Sequence, residues 1–272
     1  MIAAPLLFDR SALTAHRARA TSDAMFLHHA ALDEAQDRIG LVNRAFTSVA
    51  VVTPFPDLWS AAFPDVTIVS DNDTLALPTN SFDLVIHAMC LHWANDPVGQ
   101  IIQCRRALRE DGLFLGILLG GQTLNELRVA LSEAETKVTG GLSPRVAPMG
   151  DIRDLGALLQ RAGLALPVAD GNALTAEYRD MAHLMHDLRA MGETNVMSTR
   201  LRRPTQRGVF TTASDIYATH FRTDTGRIPA TFDIITLTGW APSDSQPKPL
   251  RPGSAQARLA DALGAPETKL PD

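Results

Sequence analysis

Three short, mostly apolar segments constrain the fold of this chain more than any other feature. They are Val49 to Val52, Phe82 to Met89 and Leu113 to Leu119. A strand covered by helices on both faces has such a mostly apolar segment, whereas a half-exposed strand alternates. Residues 97–108, between the last two segments, have the length and period of a helix, which predicts a right-handed parallel crossover. The chain is therefore expected to be an α/β protein with a mostly parallel sheet of about six strands.

The other predicted elements surround this framework. An N-terminal segment, residues 1–46, is predicted to be helical from residue 10 and broken around Gly40. Thr123 and Glu126 have the spacing of a capping box at the start of a helix over 123–138. Prolines preclude regular structure over much of a tail at 242–272. The remaining helices are predicted at 57–63, 151–161, 180–191 and 208–221, and the remaining strands at 66–69, 166–178 and 231–239.

Composition and charge exclude several classes of protein. The chain has 272 residues, of which 45% are hydrophobic, so it can bury a normal core. Its net charge of -5 gives no indication of a nucleic-acid surface. The two cysteines, Cys90 and Cys104, are expected to be buried thiols of a reducing compartment, which together with the lack of a signal segment predicts a cytoplasmic protein. No apolar run approaches the roughly 18 to 20 residues that span a membrane.

The stretch from Asp71 to Gly121 resembles the second half of a class I S-adenosylmethionine-dependent methyltransferase domain. It carries Asp71, then Asn80 to Val85 (NSFDLV), then Leu91 to Trp93 (LHW), a helix and an apolar strand. Later motifs are similar to the branch that contains the mitochondrial complex I assembly factor that modifies an arginine, with a biotin-pathway methyltransferase as a more distant relative. These motifs are GGxTLxELR at 120–128, GGxSP at 140–144, DLGxLLxRAG at 154–163, LMxDLRxMGExN at 184–195 and GW at 239–240.

The resemblance implies a Rossmann-like domain at 47–241 with a helical insert at about 121–222, S-adenosylmethionine as cofactor, and a protein partner or small acceptor. In this superfamily an acid after the third strand lies beside the adenine, and the helical insert forms a lid over the substrate. The candidate cofactor-binding residues are Thr53, Asp71, Asn72, His87 and His92. The candidates for a surface that faces the partner or substrate are Arg128, Ser143, Arg145, Arg189, Glu193 and Asn195.

Two features depart from the superfamily pattern. The first strand of the superfamily ends in a glycine-rich loop whose free N–H groups bind the cofactor carboxylate. Here Pro54 and Pro56 lack that donor and Phe55 adds bulk. Only residues 54–65 separate the first strand from 66–69, enough for one crossover. The short spacing between 66–69 and Phe82 indicates that 66–69 corresponds to the third strand of the superfamily. The second strand, whose final acid binds the ribose hydroxyls, is then missing. In the alternative, 66–69 corresponds to the second strand and Asp71 is the ribose-binding acid.

Several of these residues also have purely structural interpretations. His87 is either a pocket residue or a satisfied core histidine, and Trp93 is expected to pack beneath the following helix. Asp83 is expected to bind neighbouring amides. His183, His186 and Asp187 share one helical turn, but without a further ligand we predict surface residues and no metal site.

Two functions are consistent with the sequence. The first is an S-adenosylmethionine-dependent methyltransferase that acts on a protein or small acceptor through a rebuilt cofactor pocket. The second is a catalytically inactive methyltransferase fold that serves as a binding or assembly factor. The resemblance implies a role of the complex I assembly type, while the glycine-free loop favours the second function on physical grounds.

Overall fold

The computed structural model describes residues 6–247. The predicted tail at 242–272 lies mostly outside the described residues. The helices are α1 Arg10–Arg17, α2 Phe26–Leu41, α3 Pro56–Ala62, α4 Pro97–Ala107, α5 Asn125–Thr139, α6 Ile152–Arg161, α7 Met181–Ala190 and α8 Arg207–Phe221. The strands are β1 Val49–Val52, β2 Thr67–Val69, β3 Phe82–Ala88, β4 Leu108–Leu119, β5 Ala165–Tyr178 and β6 Ile228–Trp240.

Six strands form one sheet in the order β2-β1-β3-β4-β6-β5. The strands β2, β1, β3 and β4 are parallel, and β6 runs antiparallel between β4 and β5. The expected mostly parallel Rossmann-like sheet is therefore confirmed. One unit is shortened, because α3 alone joins β1 to β2, and β2 pairs directly with β1 through Ala50 and Thr67.

Helices cover both faces of the sheet, and each face has its own apolar core. On one face, α2, α5, α7 and α8 pack over Leu113, Leu115 and Ile117 of β4. On the other, α4 and α6 pack over Phe114 and Leu118. All seven residues of β3 are buried, as expected of a central parallel strand, and its two polar residues, Asp83 and His87, are both hydrogen-bonded.

Two local expectations were wrong. The N-terminal helical segment has a further break at residues 18–25, before α2, and residues 42–46 are not helical, although α2 does end at Leu41, next to the expected break at Gly40. The capping box at Thr123 and Glu126 does not form, because Leu124, in a left-handed conformation with φ 54°, precedes α5. Glu126 instead accepts hydrogen bonds from the amide and hydroxyl of Thr231, and Thr123 accepts one from the amide of Asp233. Because both side chains form hydrogen bonds with β6, neither caps the N-terminus of α5.

None of the helices formed within residues 6–247 is both long and apolar enough to cross a membrane. The carboxyl ends of β1, β3 and β4 meet at one edge of the sheet. The segments that follow them, together with α1 and the start of α2, build the candidate site.

Candidate functional site

The loop after β1 offers no free backbone N–H group between residues 53 and 56. The amide of Thr53 donates to the carbonyl of Val69 at 2.9 Å, and the amide of Phe55 donates to Thr53 Oγ1 at 3.2 Å. Pro54 and Pro56 have no N–H to give. Every backbone donor of this turn is therefore either used internally or absent.

The ring of Phe55 lies against His28 of α2. The two ring centroids are 4.7 Å apart and the ring planes stand at 78°. His28 is fully buried, and neither of its ring nitrogens has a hydrogen-bond partner among residues 6–247. Burial lowers the pKa of His28 to about 4, so the ring is neutral at pH 7. Protein rings thus fill the space beside the loop.

Asp71 is held by two arginines of α1. Its Oδ2 atom lies 2.8 Å from Arg17 Nη1 and 3.2 Å from Arg10 Nη1, and Arg10 also donates to the Asp71 carbonyl. The side chains of Asp71 and Arg17 are each only 8% exposed, so this ion pair is largely removed from water. Asn72, in contrast, is exposed, and its carbonyl accepts a hydrogen bond from Gln100.

His87 lies inside the sheet layer with no exposed surface. Its Nε2 atom is 2.7 Å from Gln100 Oε1, and its Nδ1 atom is 3.4 Å from Cys90 Sγ. Burial lowers the pKa of His87 to about 4. The structure thus places His87 as a hydrogen-bonded core residue. Cys90 and Cys104 are buried free thiols, as predicted.

Trp93 is buried as expected, with 2% exposure, but its ring packs edge-on against Phe8, with ring centroids 5.2 Å apart, and the apolar cluster to which it belongs contains no residue of α4. The expectation for Asp83 is confirmed. Asp83 accepts hydrogen bonds from the amides of Thr47 and Ser48 and from the Thr47 hydroxyl.

Glu193, in the loop after α7, carries a buried carboxylate. Its Oε2 atom accepts from Trp93 Nε1 at 2.7 Å and lies 3.2 Å from His92 Nε2. Because His92 Nδ1 accepts from the Leu119 amide, the His92 proton sits on Nε2 and points at Glu193. Burial alone would raise the pKa of Glu193, but His92 and the charge of Arg17 outweigh it and lower the pKa to about 2. The second oxygen, Oε1, is buried and has no partner among residues 6–247.

Glu193 also lines a cavity of about 280 Å³ beside α5, α7 and α8. Most of its walls are apolar, and three arginines line it as well: Arg145, Arg189 and Arg200. The apolar walls come from Leu119, Leu127, Leu131, Val146, Ala147, Met149, Met185, Leu188, Phe210 and Phe232. A pocket of this kind, apolar with a few convergent polar groups, is typical of a ligand site.

The structure brings most of the predicted partner-facing residues together. Arg145, Arg189, Glu193 and Asn195 line this cavity. Arg128 and Ser143 line a second cavity of about 310 Å³, which Arg145 shares. Of the predicted cofactor-binding residues, none lines either cavity within the described part of the chain.

Sequence reasoning missed the α1 and α2 residues at the site. The adjacent residues His28 and His29 form no pattern that indicates a function. No sequence pattern indicates that Arg10 and Arg17 lie at the site. The one available signal was the Phe8-Asp9-Arg10 motif, at the start of the stretch that carries the family resemblance. Between residues 6 and 247, no three His, Cys, Asp or Glu side chains are grouped to hold a metal ion.

S-adenosylmethionine does not fit the residues present. The superfamily binds its carboxylate with free N–H groups of the first loop, and here residues 53–56 offer none. The expected adenine-side acid, Asp71, already neutralises two arginines. The ring of Phe55, packed on His28, stands where the superfamily has glycine. We derive no chemical step through this cofactor.

The chain is similar to several known proteins, and these comparisons agree with one another. A methyltransferase-domain family model matches residues 23–116. The arginine-hydroxylase NDUFAF5 of Danio rerio is 35% identical over 221 residues, which are 81% of this chain and 68% of that protein. The protein of the same name from Rattus norvegicus is 39% identical over 73% of this chain, and the chain spans only 57% of its length.

More distant similarities follow. A malonyl-[acyl-carrier protein] O-methyltransferase of Xylella fastidiosa is 33% identical over 180 residues, 66% of this chain and 59% of that protein. Among solved structures, the YcgJ protein of Bacillus subtilis aligns with a TM-score of 0.49 and 12% identity, over 79% of this chain and 100% of that chain.

Proposed function

This chain belongs to the family of the arginine-hydroxylase NDUFAF5, and from that premise we propose that it is a methyltransferase-fold binding protein that acts with a protein partner and does not use S-adenosylmethionine. The resemblance to a complex I assembly factor supports a role in assembly. The observation that carries the proposal is the loop after β1, in which residues 53–56 offer no free N–H group and Phe55 packs on His28.

The cavity beside α5, α7 and α8 supports a specific kind of partner. Its Glu193 carboxylate has one buried oxygen without a partner among residues 6–247, and leaving a charged acceptor unpaired is costly. Because Oε1 is covered by neighbouring side chains, a guanidinium entering the cavity would donate to it only after these side chains move, and its methylene stem would contact the apolar walls. Because the named activity of the relatives concerns arginine, we propose that an arginine side chain of the partner occupies the cavity.

The two unpaired thiols, Cys90 and Cys104, support a reducing compartment. We propose the cytoplasm for this chain, whereas its curated relatives are mitochondrial by name.

Calorimetric titration with S-adenosylmethionine and S-adenosylhomocysteine tests the loss of the cofactor. The Xylella fastidiosa methyltransferase relative serves as the control that binds. A ligand at 100 times its Kd stabilises the folded state by about 2.7 kcal/mol, so a thermal-denaturation scan gives a second readout. We expect no binding heat and no rise in Tm for this chain. Saturable binding would overturn the proposal and favour an enzyme with a rebuilt pocket.

The assembly role is tested in the host cell. Deleting the gene is expected to lower the amount of assembled NADH:quinone oxidoreductase, and the wild-type gene to restore it. Glu193→Gln is expected to restore much less, provided that circular dichroism shows it to be folded. An unchanged complex in the deletion strain would contradict this role.

A further inference from the structure

We propose that the mouth of the cavity selects a partner segment with acidic residues on either side of the side chain that enters. We call Arg145, Arg189 and Arg200 the arginine rim, because all three line the cavity. This inference rests on the proposed function, in which a protein segment binds there, and it adds the chemistry that the flanks of the segment must have.

The arginine rim holds more positive charge than its acidic neighbours neutralise. Arg189 is exposed, and its side chain makes no hydrogen bond or ion pair with any residue from 6 to 247. Arg200 shares the single carboxylate of Asp9 with Arg202, at 3.0 and 3.2 Å. Only Arg145 has a carboxylate of its own, that of Glu135, at 2.6 Å.

The segment that leads into α8 adds further positive charge next to the rim. Residues 199–207, TRLRRPTQR, contain four arginines and no acid. Arg203 and Arg207 are exposed and, like Arg189, form no ion pair with the described residues. This density of arginine contrasts with the net charge of -5 of the whole chain. A guanidinium with a free face binds carboxylates in a bidentate manner, which adds direction to the attraction.

An acidic peptide fits these charges better than a nucleic acid does. Single-stranded nucleic acids need exposed aromatic side chains on which bases stack. The arginine rim has none, and of the three aromatic residues that line the cavity, Trp93 and Phe232 are buried and Phe210 is only partly exposed. The acid at the cavity floor, Glu193, would also repel a phosphate that entered. The positive mouth and the negative floor together match a segment with a central cation and acidic flanks.

Fluorescence anisotropy with the full chain and labelled eleven-residue peptides tests the inference. The peptides carry a central arginine or glutamine, flanked on each side by two aspartates, two serines or two lysines. We expect the aspartate-flanked arginine peptide to bind about tenfold more tightly than the serine-flanked one at low salt. High salt should reduce this difference, because exposed ion pairs are screened. The lysine-flanked peptide should bind most weakly.

Two variants test whether the arginine rim causes the preference for aspartate flanks. Arg189→Gln is expected to remove most of the aspartate preference. The control, Arg161→Gln, removes the same charge from the end of α6, on the opposite face of the sheet, and should leave the preference intact. Equal losses in both variants would show a general charge effect and would overturn the inference.

The peptide set separates this inference from the proposed function. If the central arginine matters but the flanks do not, the rim inference is wrong and the arginine pocket stands. If aspartate flanks strengthen binding regardless of the central residue, the rim inference stands and the arginine pocket is wrong. Absence of binding by all peptides, or tighter binding of a single-stranded oligonucleotide, overturns the rim inference.

Discussion

The ring of His28 meets the ring of Phe55 edge-on, with centroids 4.7 Å apart, at the turn where relatives of this fold place a cofactor. His28 comes from α2 and Phe55 from the loop after β1. The contact therefore ties the N-terminal helices to the sheet. A change at Phe55 alone would still leave positions 54 and 56 of this turn without N–H groups, because both are proline.

A double-mutant cycle measures this contact. We expect His28→Ala and Phe55→Ala to couple by about 0.5 to 1.5 kcal/mol in the free energy of unfolding, the range found for aromatic pairs. Urea denaturation of the four proteins gives the value. Pairing Phe55→Ala with His29→Ala, a change at an exposed neighbour, should give additive effects. A coupling no larger than in that control would contradict the importance of the contact.

Asp71→Asn should destabilise the fold by about 3 to 5 kcal/mol, because it leaves the buried Arg17 without its counter-charge. Asp73→Asn, two residues along on an exposed position, is expected to stay within about 0.5 kcal/mol of the wild type. Chemical denaturation of both variants is the measurement. Similar values for the two would show that Asp71 is not a structural anchor.

Acid should weaken the fold between pH 6.5 and about 4. Burial lowers the pKa of both His28 and His87 to about 4, so in this range the unfolded chain binds protons that the folded chain does not. The contribution of the two neutral histidines to the free energy of unfolding is therefore complete above pH 6.5. It is lost as the pH falls, by up to about 3 kcal/mol for each histidine. Urea midpoints at pH 7, 5.5 and 4.5 test the slope.

The variant His28→Phe should flatten this pH dependence, since it removes one of the two groups. It should not lower stability at pH 7, because the His28 nitrogens form no hydrogen bond with the described residues. His29→Gln serves as the exposed control. A slope equal to that of the wild type would contradict the assignment.

Asp83→Asn should cost about 1 to 3 kcal/mol. The carboxylate accepts from the amide of Thr47 at 2.8 Å and the amide of Ser48 at 2.9 Å. Although burial raises the pKa of Asp83, these hydrogen bonds lower it overall. An amide side chain keeps one acceptor and turns a donor toward the other N–H. Thermal denaturation should show the loss, and an unchanged Tm would rule out this role.

Much of the framework could be predicted from the sequence because it depends on local patterns. A continuous apolar run gave β1 and a mostly apolar segment gave β3, since strands buried on both faces carry few polar residues. Helical periodicity gave α4, α6 and α7 to within about two residues. The predicted capping box at Thr123 was wrong because it depends on a tertiary contact. The side chains that would form it bind to β6 instead.

The sequence by itself determined the strand-helix framework and the lack of N–H donors at Pro54 and Pro56, which proline carries wherever the chain places it. Only the tertiary structure decided what occupies the site. Arg17 reaches Asp71 across 54 residues, and His92 reaches Glu193 across 101. Such pairs have no local sequence signal, because they form only when helices pack over the sheet and exclude water from the charges between them.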